Sequence, residues 1–173
     1  MMNLLITGCC GHIGSYLVNN IHKIEKIKKT FIVDNFHSTQ INSLFNMKKR
    51  NNIKFYKLNL TKKNSLKEFD KIDYVIHLAS MTNAAGSFNK KSEMYKNNID
   101  CMKNIINFCK KRKAKLIHIS STSVYGKQAS IVDETCEKKF LKPQSPYADI
   151  KLIEEEMLKK VSKKIKYVTY RLE

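Results

Sequence analysis

The sequence predicts an α/β protein with a doubly wound parallel sheet of strand order 3-2-1-4-5-6. Short, nearly continuous apolar segments alternate with longer amphipathic ones along the whole chain. The first apolar segment runs directly into a loop with three evenly spaced glycines, and the only two prolines, Pro143 and Pro146, bracket the expected start of the last helix. Apolar strands that alternate with helical segments are typical of a parallel sheet covered by helices on both faces.

Each predicted strand is a short apolar segment that ends at turn-forming or polar residues, and the predicted helices are amphipathic segments between these strands. In chain order, strands are predicted over Asn3–Thr7, Thr30–Asp34, Ile53–Leu58, Tyr74–His77, Leu116–Ser120 and Lys166–Tyr170. Helices are predicted over 12–27, 39–49, 64–70, 92–112 and 146–162. Because crossovers between parallel strands are right-handed, few topologies remain, and the doubly wound order is the natural one.

Composition limits the class of protein. A length of 173 residues with 42% hydrophobic and 28% charged residues fits one globular domain. No apolar run approaches the roughly 20 residues that span a membrane, and the N-terminus lacks the charged region of a signal peptide, so we expect a cytoplasmic protein without a membrane partner. The 5 cysteines form no CxxC pair and have no histidine at zinc-type spacing, so we expect reduced thiols and no metal site.

The net charge of +18 raises the question of a nucleic-acid partner. Arginine, whose planar fork suits phosphates and bases, occurs only at 50, 112 and 171. The densest basic cluster, KKRKAK at 110–115, falls where a helix is predicted to end and where the helix dipole favours cations. We therefore expect a solvated basic surface and no nucleic-acid partner. The alternative interpretation of the charge is a basic nucleic-acid binder, which predicts duplex binding that weakens steeply with salt.

The glycine loop has the spacing of a phosphate-binding turn. Gly8 permits a tight turn after the strand, Gly11 lets the backbone approach a pyrophosphate, and Gly14 lets the helix pack closely on the sheet. The backbone N–H groups of His12 and Ile13, at the start of the helix, are expected to face the anion.

Asp34 ends the second predicted strand, twenty residues after Gly14. An acid at this distance accepts hydrogen bonds from an adenosine ribose and repels a 2′-phosphate, which favours NAD over NADP. A turn residue without a cofactor contact is the alternative role for Asp34.

Six segments in this order resemble the extended short-chain dehydrogenases/reductases, the family of nucleotide-sugar epimerases and dehydratases. They are TGCCGHIG (7–14), VDNF (33–36), DYVIHLAS (73–80), NNIDCMKNII (97–106), SSTSVYG (120–126) and SPYADIK (145–151). The resemblance implies a Rossmann-type NAD-binding domain over residues 1–173 and a nucleotide-sugar substrate. It also allows a homodimer through the helices near 92–112 and 146–162.

The resemblance implies a set of cofactor-binding positions. These are Gly8, Gly11, His12, Ile13, Gly14, Asp34, Asn35, Asn59, Leu60, Leu78, Ala79, Ser80, Asn98, Tyr147 and Lys151. Asn59 stands where the family usually carries an aspartate near the adenine, so weaker or altered binding is expected. Asn98 matches an asparagine that supports the family's active site, with the N-cap of a helix as the alternative. His77, at the end of a buried strand, is expected to be structural.

The predicted catalytic residues are Ser121, Tyr147 and Lys151. Tyr147 and Lys151 lie four residues apart on one face of the last predicted helix. An ammonium group lowers the pKa of a nearby phenol from about 10, which makes Tyr147 an acid or base for a sugar hydroxyl or carbonyl. By resemblance, Lys151 also holds the nicotinamide ribose, and Ser121 aligns the reacting oxygen. About one YxxxK pair is expected here by chance, so the prediction depends on the place of this pair, in the helix that follows the fifth strand and its serine cluster. For Ser121, an error of one residue stays open.

The resulting function is an NAD-dependent epimerase or oxidoreductase that acts on a nucleotide-sugar through a transient ketone. By resemblance, dehydratases carry an Asp-Glu pair after the catalytic serine or threonine, and Thr122 and Ser123 occupy those positions here; dehydration is therefore disfavoured. The alternative is a dinucleotide-binding module without turnover. Because similar enzymes continue well beyond the sixth strand, where this sequence stops, we expect a fragment of a longer enzyme.

Overall fold

The computed structural model describes residues 1–37, 42–82, 90–128 and 131–173. The strands are β1 (Met2–Thr7), β2 (Ile27–Asp34), β3 (Ile53–Lys57), β4 (Tyr74–His77), β5 (Lys115–Ser121) and β6 (Tyr167–Leu172). The helices are α1 (His12–Asn20), α2 (Asn42–Phe45), α3 (Lys91–Arg112) and α4 (Pro146–Lys160). Single 3₁₀ turns cover Ile21–Lys23, Thr122–Val124 and Lys138–Phe140.

All six strands are parallel and pair in the order β3-β2-β1-β4-β5-β6, which confirms the predicted fold class and topology. The chain moves outward from β1 to β3 and then returns to place β4 on the other side of β1. The loops that leave β1 and β4 therefore run in opposite directions. This divergence opens a crevice at the carboxyl ends of the strands, which is where ligands bind in open α/β sheets.

The sheet separates two apolar layers, and β1 contributes to both because successive side chains of a strand point to opposite faces. Leu5 packs on the side of α3, together with Met102 and Ile105. Leu4 and Ile6 pack on the other side, in the cluster that contains Val18 of α1. With both faces of β1 buried, the loop that follows this strand has a rigid support.

The prediction of a helix over 64–70 is wrong. Residues 61–68 form consecutive turns, in which Lys67 N–H donates to the carbonyl of Asn64 at 3.0 Å. Asn64 adopts a left-handed conformation with φ 58°. A right-handed helix does not include such a residue, and the amphipathic pattern of the residues after it is realised as turns, with Leu66 and Phe69 buried.

Two further predicted helices are shorter in the structure. The helix predicted over 12–27 ends at Asn20, with one 3₁₀ turn to Lys23, because β2 begins already at Ile27. Of the helix predicted over 39–49, residues 39–41 lie outside the described residues; among the others, Asn42–Phe45 are helical and 46–49 are not. The other two helices and five of the strands lie within two residues of their predicted bounds, whereas β2 begins three residues before the predicted Thr30.

Helix α3 ends as its sequence predicts. Lys113 adopts a left-handed conformation with φ 56° and its N–H donates to the carbonyl of Cys109, while Lys110, Lys111 and Arg112 form the last turn. The basic cluster therefore lies at the negative end of the helix dipole. Within the part of the chain that the structure describes, no helix is long and apolar enough to cross a membrane.

Candidate active site

A cleft of about 630 Å³ lies at the carboxyl ends of the strands. Its lining includes the residues that end or follow β1, β2 and β4, and Tyr147 and Lys151 of α4. Of the predicted cofactor-binding residues, those that line it are Gly8, Gly11, His12, Ile13, Gly14, Asp34, Asn35, Leu60, Leu78, Ala79, Ser80, Tyr147 and Lys151. The fold thus brings together residues that are up to 143 positions apart in sequence (8 to 151).

Two glycines of the loop are required by the protein's own backbone. Gly8 has φ +70°, and a Cβ there would lie 2.6 Å from the backbone nitrogen of Ala79. A Cβ on Gly14 would lie 2.2 Å from the carbonyl oxygen of Gly8. A side chain at either position meets backbone atoms that cannot rotate away. Gly14 therefore allows α1 to pack against the loop itself, where the sequence analysis expected close packing on the sheet.

The N-terminus of α1 opens onto the cleft. Gly11 is the N-cap residue, with extended backbone (φ −69°, ψ 171°), and no side chain caps this helix end. The first turn contains no acidic residue, and both His12 and Ile13 line the cleft. Helix N–H groups without a capping side chain, together with the positive end of the helix dipole, suit a bound anion.

Asp34 connects β2 to the glycine loop. Its Oδ2 accepts a hydrogen bond from the backbone N–H of Cys10 at 2.9 Å, and its Oδ1 accepts one from Phe36 N–H at 2.8 Å. Each carboxylate oxygen has a second lone pair, so the side chain can still accept a hydrogen bond from a ligand hydroxyl. The bond to Phe36, two residues ahead, is a common turn pattern and agrees with the alternative turn role of Asp34, whereas the bond to Cys10 was not predicted from the sequence.

Asn59 does not belong to the residues that line the cleft. Its Oδ1 accepts hydrogen bonds from the backbone N–H of Thr61 at 2.9 Å and from the Thr61 hydroxyl at 2.8 Å. This arrangement is an Asx-type turn after β3. Its predicted contact with the cofactor stays a prediction.

Asn98 is buried inside α3, seven residues after the helix begins at Lys91, so the alternative of an N-cap role is wrong. Its Oδ1 accepts a hydrogen bond from Met81 N–H at 2.8 Å, and its Nδ2 donates to the carbonyl of Met81 at 3.1 Å. Met81 lines the cleft. Asn98 therefore fixes one wall of the cleft through the backbone and does not line the cleft itself.

Tyr147 and Lys151 lie on the first two turns of α4. The helix starts at Pro146 after Ser145, whose Oγ accepts a hydrogen bond from Ala148 N–H at 3.2 Å. The half-buried Tyr147 packs against a cluster that includes Met94 and Ile150. The Lys151 ammonium lies 5.8 Å from the centroid of the Tyr147 ring, within the range of a cation–π contact.

Lys151 forms an ion pair that the sequence analysis missed. Its Nζ donates to Oε2 of Glu154 at 2.9 Å, and the same oxygen lies 2.9 Å from Nε2 of His118. Burial by itself raises the pKa of Glu154, but the Lys151 ammonium and the hydrogen bonds outweigh it and lower the pKa to about 2. The spacing of Glu154, three residues after Lys151, was the available signal; nothing local pointed to His118.

His77 faces the same cleft from the end of β4. Its Nδ1 lies 2.8 Å from the hydroxyl of Thr7, the neighbouring residue on β1. Burial lowers the pKa of His77 to about 3, so the imidazole is neutral near pH 7. A neutral histidine that joins two central strands agrees with the expected structural role.

Ser121 lies outside this cleft, in a second depression that also contains Thr122, Ser123 and Ser145. Its Oγ accepts hydrogen bonds from Ser123 N–H at 3.1 Å and from the Ser123 hydroxyl at 2.8 Å. Ser120, the neighbouring candidate, is 2% exposed and donates to Oε1 of Glu155 at 2.6 Å. The hydroxyl of Ser120 is therefore engaged in the interior, whereas Ser121 lines an open surface.

One group of potential metal ligands occurs in the described chain. The sulfur atoms of Cys9 and Cys10 and a carboxylate oxygen of Asp34 lie within 4.8 Å of one another. Burial raises the pKa of both thiols, that of Cys10 to about 11, so they are protonated near pH 7, whereas metals bind the thiolate. Both Asp34 oxygens also accept backbone hydrogen bonds. The absence of a metal site stays a prediction.

A family model and several relatives match the chain. The model for the NAD dependent epimerase/dehydratase family matches residues 4–173. A dTDP-D-glucose 4,6-dehydratase of Dictyostelium discoideum is 33% identical over 96% of this chain and 42% of its own length. A UDP-glucose 4-epimerase of Yersinia enterocolitica is 31% identical over 93% of this chain and 49% of its own.

Solved structures agree with the sequence matches. The UDP-N-acetylglucosamine 4-epimerase of Methanobrevibacter ruminantium superposes with a TM-score of 0.86 at 30% identity, over 98% of this chain and 54% of its own. The UDP-glucuronic acid 4-epimerase of Bacillus cereus, in complex with UDP-glucuronic acid and NAD, gives 0.87 at 28% identity, over 98% and 56%. The chain thus spans about half the length of these relatives. The predicted family and its NAD dependence are confirmed.

Proposed function

Because the chain belongs to the NAD-dependent epimerase/dehydratase family, we propose that residues 1–173 form the NAD-binding domain of a nucleotide-sugar epimerase or related oxidoreductase. The observation that carries this proposal is the content of one cleft. The uncapped N-terminus of α1, the Asp34 carboxylate and the Tyr147–Lys151 pair all line it. A dinucleotide requires these three kinds of group: one for its pyrophosphate, one for its adenosine ribose and one at its reactive end.

The residues present fit NAD. The N–H groups of His12 and Ile13 would hold the pyrophosphate, and the free lone pairs of Asp34 would accept a ribose hydroxyl. Asp34 would also repel a 2′-phosphate, which favours NAD over NADP. Lys151 would donate to the other ribose. When bound, NAD supplies a reversible hydride acceptor.

Tyr147 would move the proton of the reaction. Its phenolic oxygen would take the proton from a sugar hydroxyl while the hydride leaves the same carbon for the bound cofactor, and the alcohol becomes a ketone. Ser121 would hydrogen-bond the reacting oxygen. In an epimerase the hydride returns to the opposite face of the ketone, and Tyr147 gives the proton back, so atoms and electrons balance.

Epimerisation or simple oxidoreduction is favoured over dehydration. Thr122 and Ser123 occupy the positions of the dehydratase Asp-Glu pair, and both line the depression next to Ser121. Hydroxyl groups there do not replace a carboxylic acid and a carboxylate in the elimination of water. The dehydratase of Dictyostelium discoideum is nevertheless among the relatives, so dehydration products belong in the assay.

The test combines cofactor binding with turnover. Calorimetric titration should show NAD binding by the wild type and, within about twofold, by Tyr147→Phe, because only the hydroxyl is removed. Turnover of UDP- and dTDP-hexoses, followed by NMR, should be lost in Tyr147→Phe. These assays use the full protein of which residues 1–173 are proposed to be a domain. A full-length wild type that binds NAD but converts no sugar nucleotide would favour the non-catalytic module, whereas one that does not bind NAD would overturn the proposal.

Ser120 and Ser121 form a matched pair for the catalytic serine. Ser121→Ala should lower the turnover rate by at least about tenfold, because a hydrogen bond to the reacting oxygen is lost. Ser120→Ala should lower stability and leave the rate nearly unchanged, since its hydroxyl is bound to Glu155. The reverse result would place the catalytic serine at position 120.

A further inference from the structure

A buried ion pair lies beside the cleft, next to the residues that the proposed function uses. Glu154 is 1% exposed and Lys151 is 5% exposed, and their Oε2 and Nζ atoms are 2.9 Å apart. Burial disfavours the charged form of a lysine and lowers its pKa, by several units in fully buried examples. A charged Lys151 therefore depends on a negative group close to its ammonium.

The ionisable groups around this pair come from four structural elements. They are Tyr147 on α4, His118 on β5, His77 on β4 and Cys101 on α3. Burial lowers the pKa of both histidines and raises that of Cys101 to about 12, so none of these three carries a charge near pH 7. Glu155, the next carboxylate of α4, is paired with Arg171 instead: its Oε2 lies 2.7 Å from Nη2 of Arg171. Glu154 is thus the carboxylate that directly balances Lys151.

His118 orients this carboxylate. Its ring is fully buried, and its Nε2 lies 2.9 Å from Oε2 of Glu154. A neutral imidazole has one donor and one acceptor nitrogen, so Nε2–H donates to Glu154 and Nδ1 accepts from the Thr169 hydroxyl at 3.3 Å. This chain of hydrogen bonds, from Thr169 on β6 through His118 on β5, holds the Glu154 carboxylate of α4 in one position.

We propose that Glu154 is a positioning residue for Lys151: oriented by His118, its carboxylate keeps the buried ammonium protonated and in place beside Tyr147. The proposal rests on the proposed function only where it assigns Lys151 to the cofactor. Its consequence is that removal of the Glu154 charge weakens the contact of Lys151 with NAD, most strongly in alkaline solution, because a buried lysine without a counter-ion loses its proton more easily.

The test compares Glu154→Gln with Glu156→Gln. Glutamine keeps the size of the side chain and removes its charge, and Glu156 is a carboxylate of the same helix that pairs with Lys138 at the surface. NAD affinity, relative to wild type, is measured from pH 6 to pH 10, with Lys151→Met as the reference without an ammonium. As pH rises, we expect the NAD affinity of Glu154→Gln to fall by about tenfold or more and to approach that of Lys151→Met. The NAD affinity of Glu156→Gln should follow that of the wild type at every pH.

A second variant separates charge from packing. Glu154→Asp keeps the charge on a shorter side chain, so its affinity ratio should change with pH less than that of Glu154→Gln. Equal pH profiles for Glu154→Gln and wild type would overturn the proposal. So would equal profiles for Glu154→Asp and Glu154→Gln, since size would then be the relevant property.

A direct measurement keeps the proposal testable without NAD. The ¹³C resonance of the Lys151 ε-carbon, assigned by its loss in Lys151→Met, reports the protonation of the amine. In Glu154→Gln it should titrate at lower pH than in the wild type; an unchanged titration would overturn the proposal. If Lys151→Met binds NAD as well as the wild type, the proposed cofactor contact of Lys151 fails, and this titration still decides the role of Glu154.

Discussion

Substitution of Gly14 by alanine sets two opposite effects against each other. Alanine is favoured over glycine inside a helix by about 1 kcal/mol, so Gly14→Ala would stabilise an isolated α1. In the structure, however, the new Cβ would lie 2.2 Å from the Gly8 carbonyl oxygen and 2.8 Å from the Cys9 Cα. Both are backbone atoms, so α1 has to move by roughly 1 Å to restore ordinary contact distances.

The steric effect should dominate. Overpacking of a rigid site costs about 1–3 kcal/mol, and contact with backbone places this case at the upper end, so the net loss of stability is about 2 kcal/mol after the helix gain is subtracted. In a domain of this size, that corresponds to a melting temperature lower by about 4–8 °C. Because His12 and Ile13 move with α1, NAD affinity should also fall by about tenfold or more.

Thermal unfolding followed by circular dichroism and calorimetric NAD titration check this prediction. Ser15→Ala is the matched control, because it lies next to Gly14 on α1 and loses only the hydrogen bond from its hydroxyl to the His12 carbonyl. Its stability should stay within about 0.5 kcal/mol of the wild type. A Gly14→Ala protein that melts at or above the wild-type temperature would refute the steric reasoning.

Two other perturbations act on the same edge of the sheet. Because burial lowers the pKa of His77 to about 3, the unfolded chain binds an extra proton below pH 6.5. The free energy of unfolding should therefore decrease as the pH is lowered from 6.5, by up to about 1.4 kcal/mol per pH unit. Urea unfolding from pH 7 to 4 should show that stability depends less on pH in His77→Gln than in the wild type. An equal pH dependence would contradict the assignment. Asp34→Asn turns one of the two oxygens that accept from Cys10 and Phe36 into a donor. We expect it to cost about 1–3 kcal/mol in the same assay and to weaken NAD binding, and an unchanged midpoint would contradict the loop-fixing role.

Most of the fold was predictable because it depends on local patterns. The apolar segments specify β1 to β6, and right-handed crossovers leave few ways to arrange them. The helix predicted over 64–70 failed because the same spacing of apolar residues also suits a series of turns that buries Leu66 and Phe69. Tertiary packing of Leu66 and Phe69 decides the conformation of that segment.

The candidate site was predictable where its residues lie within one motif. Gly8, Gly11 and Gly14 share a single loop, and Tyr147 and Lys151 share a helix face. Residues whose roles depend on a distant partner were missed or placed differently. The N-cap alternative for Asn98 failed because α3 begins already at Lys91, and the role of Asn98 depends on Met81, 17 positions away in sequence.

The sequence by itself determined the strand order, the family and the loop that faces the proposed cofactor, since these follow from short-range spacing and from motifs in a fixed order. Only the tertiary structure decided which atoms balance the charge of Lys151, which backbone atoms exclude a side chain at Gly14, and that Ser121 lies outside the cleft. The physical reason is the same in each case. Burial and charge balance depend on groups that the fold brings together, such as His118 and Glu154, 36 positions apart, and no local pattern contains them.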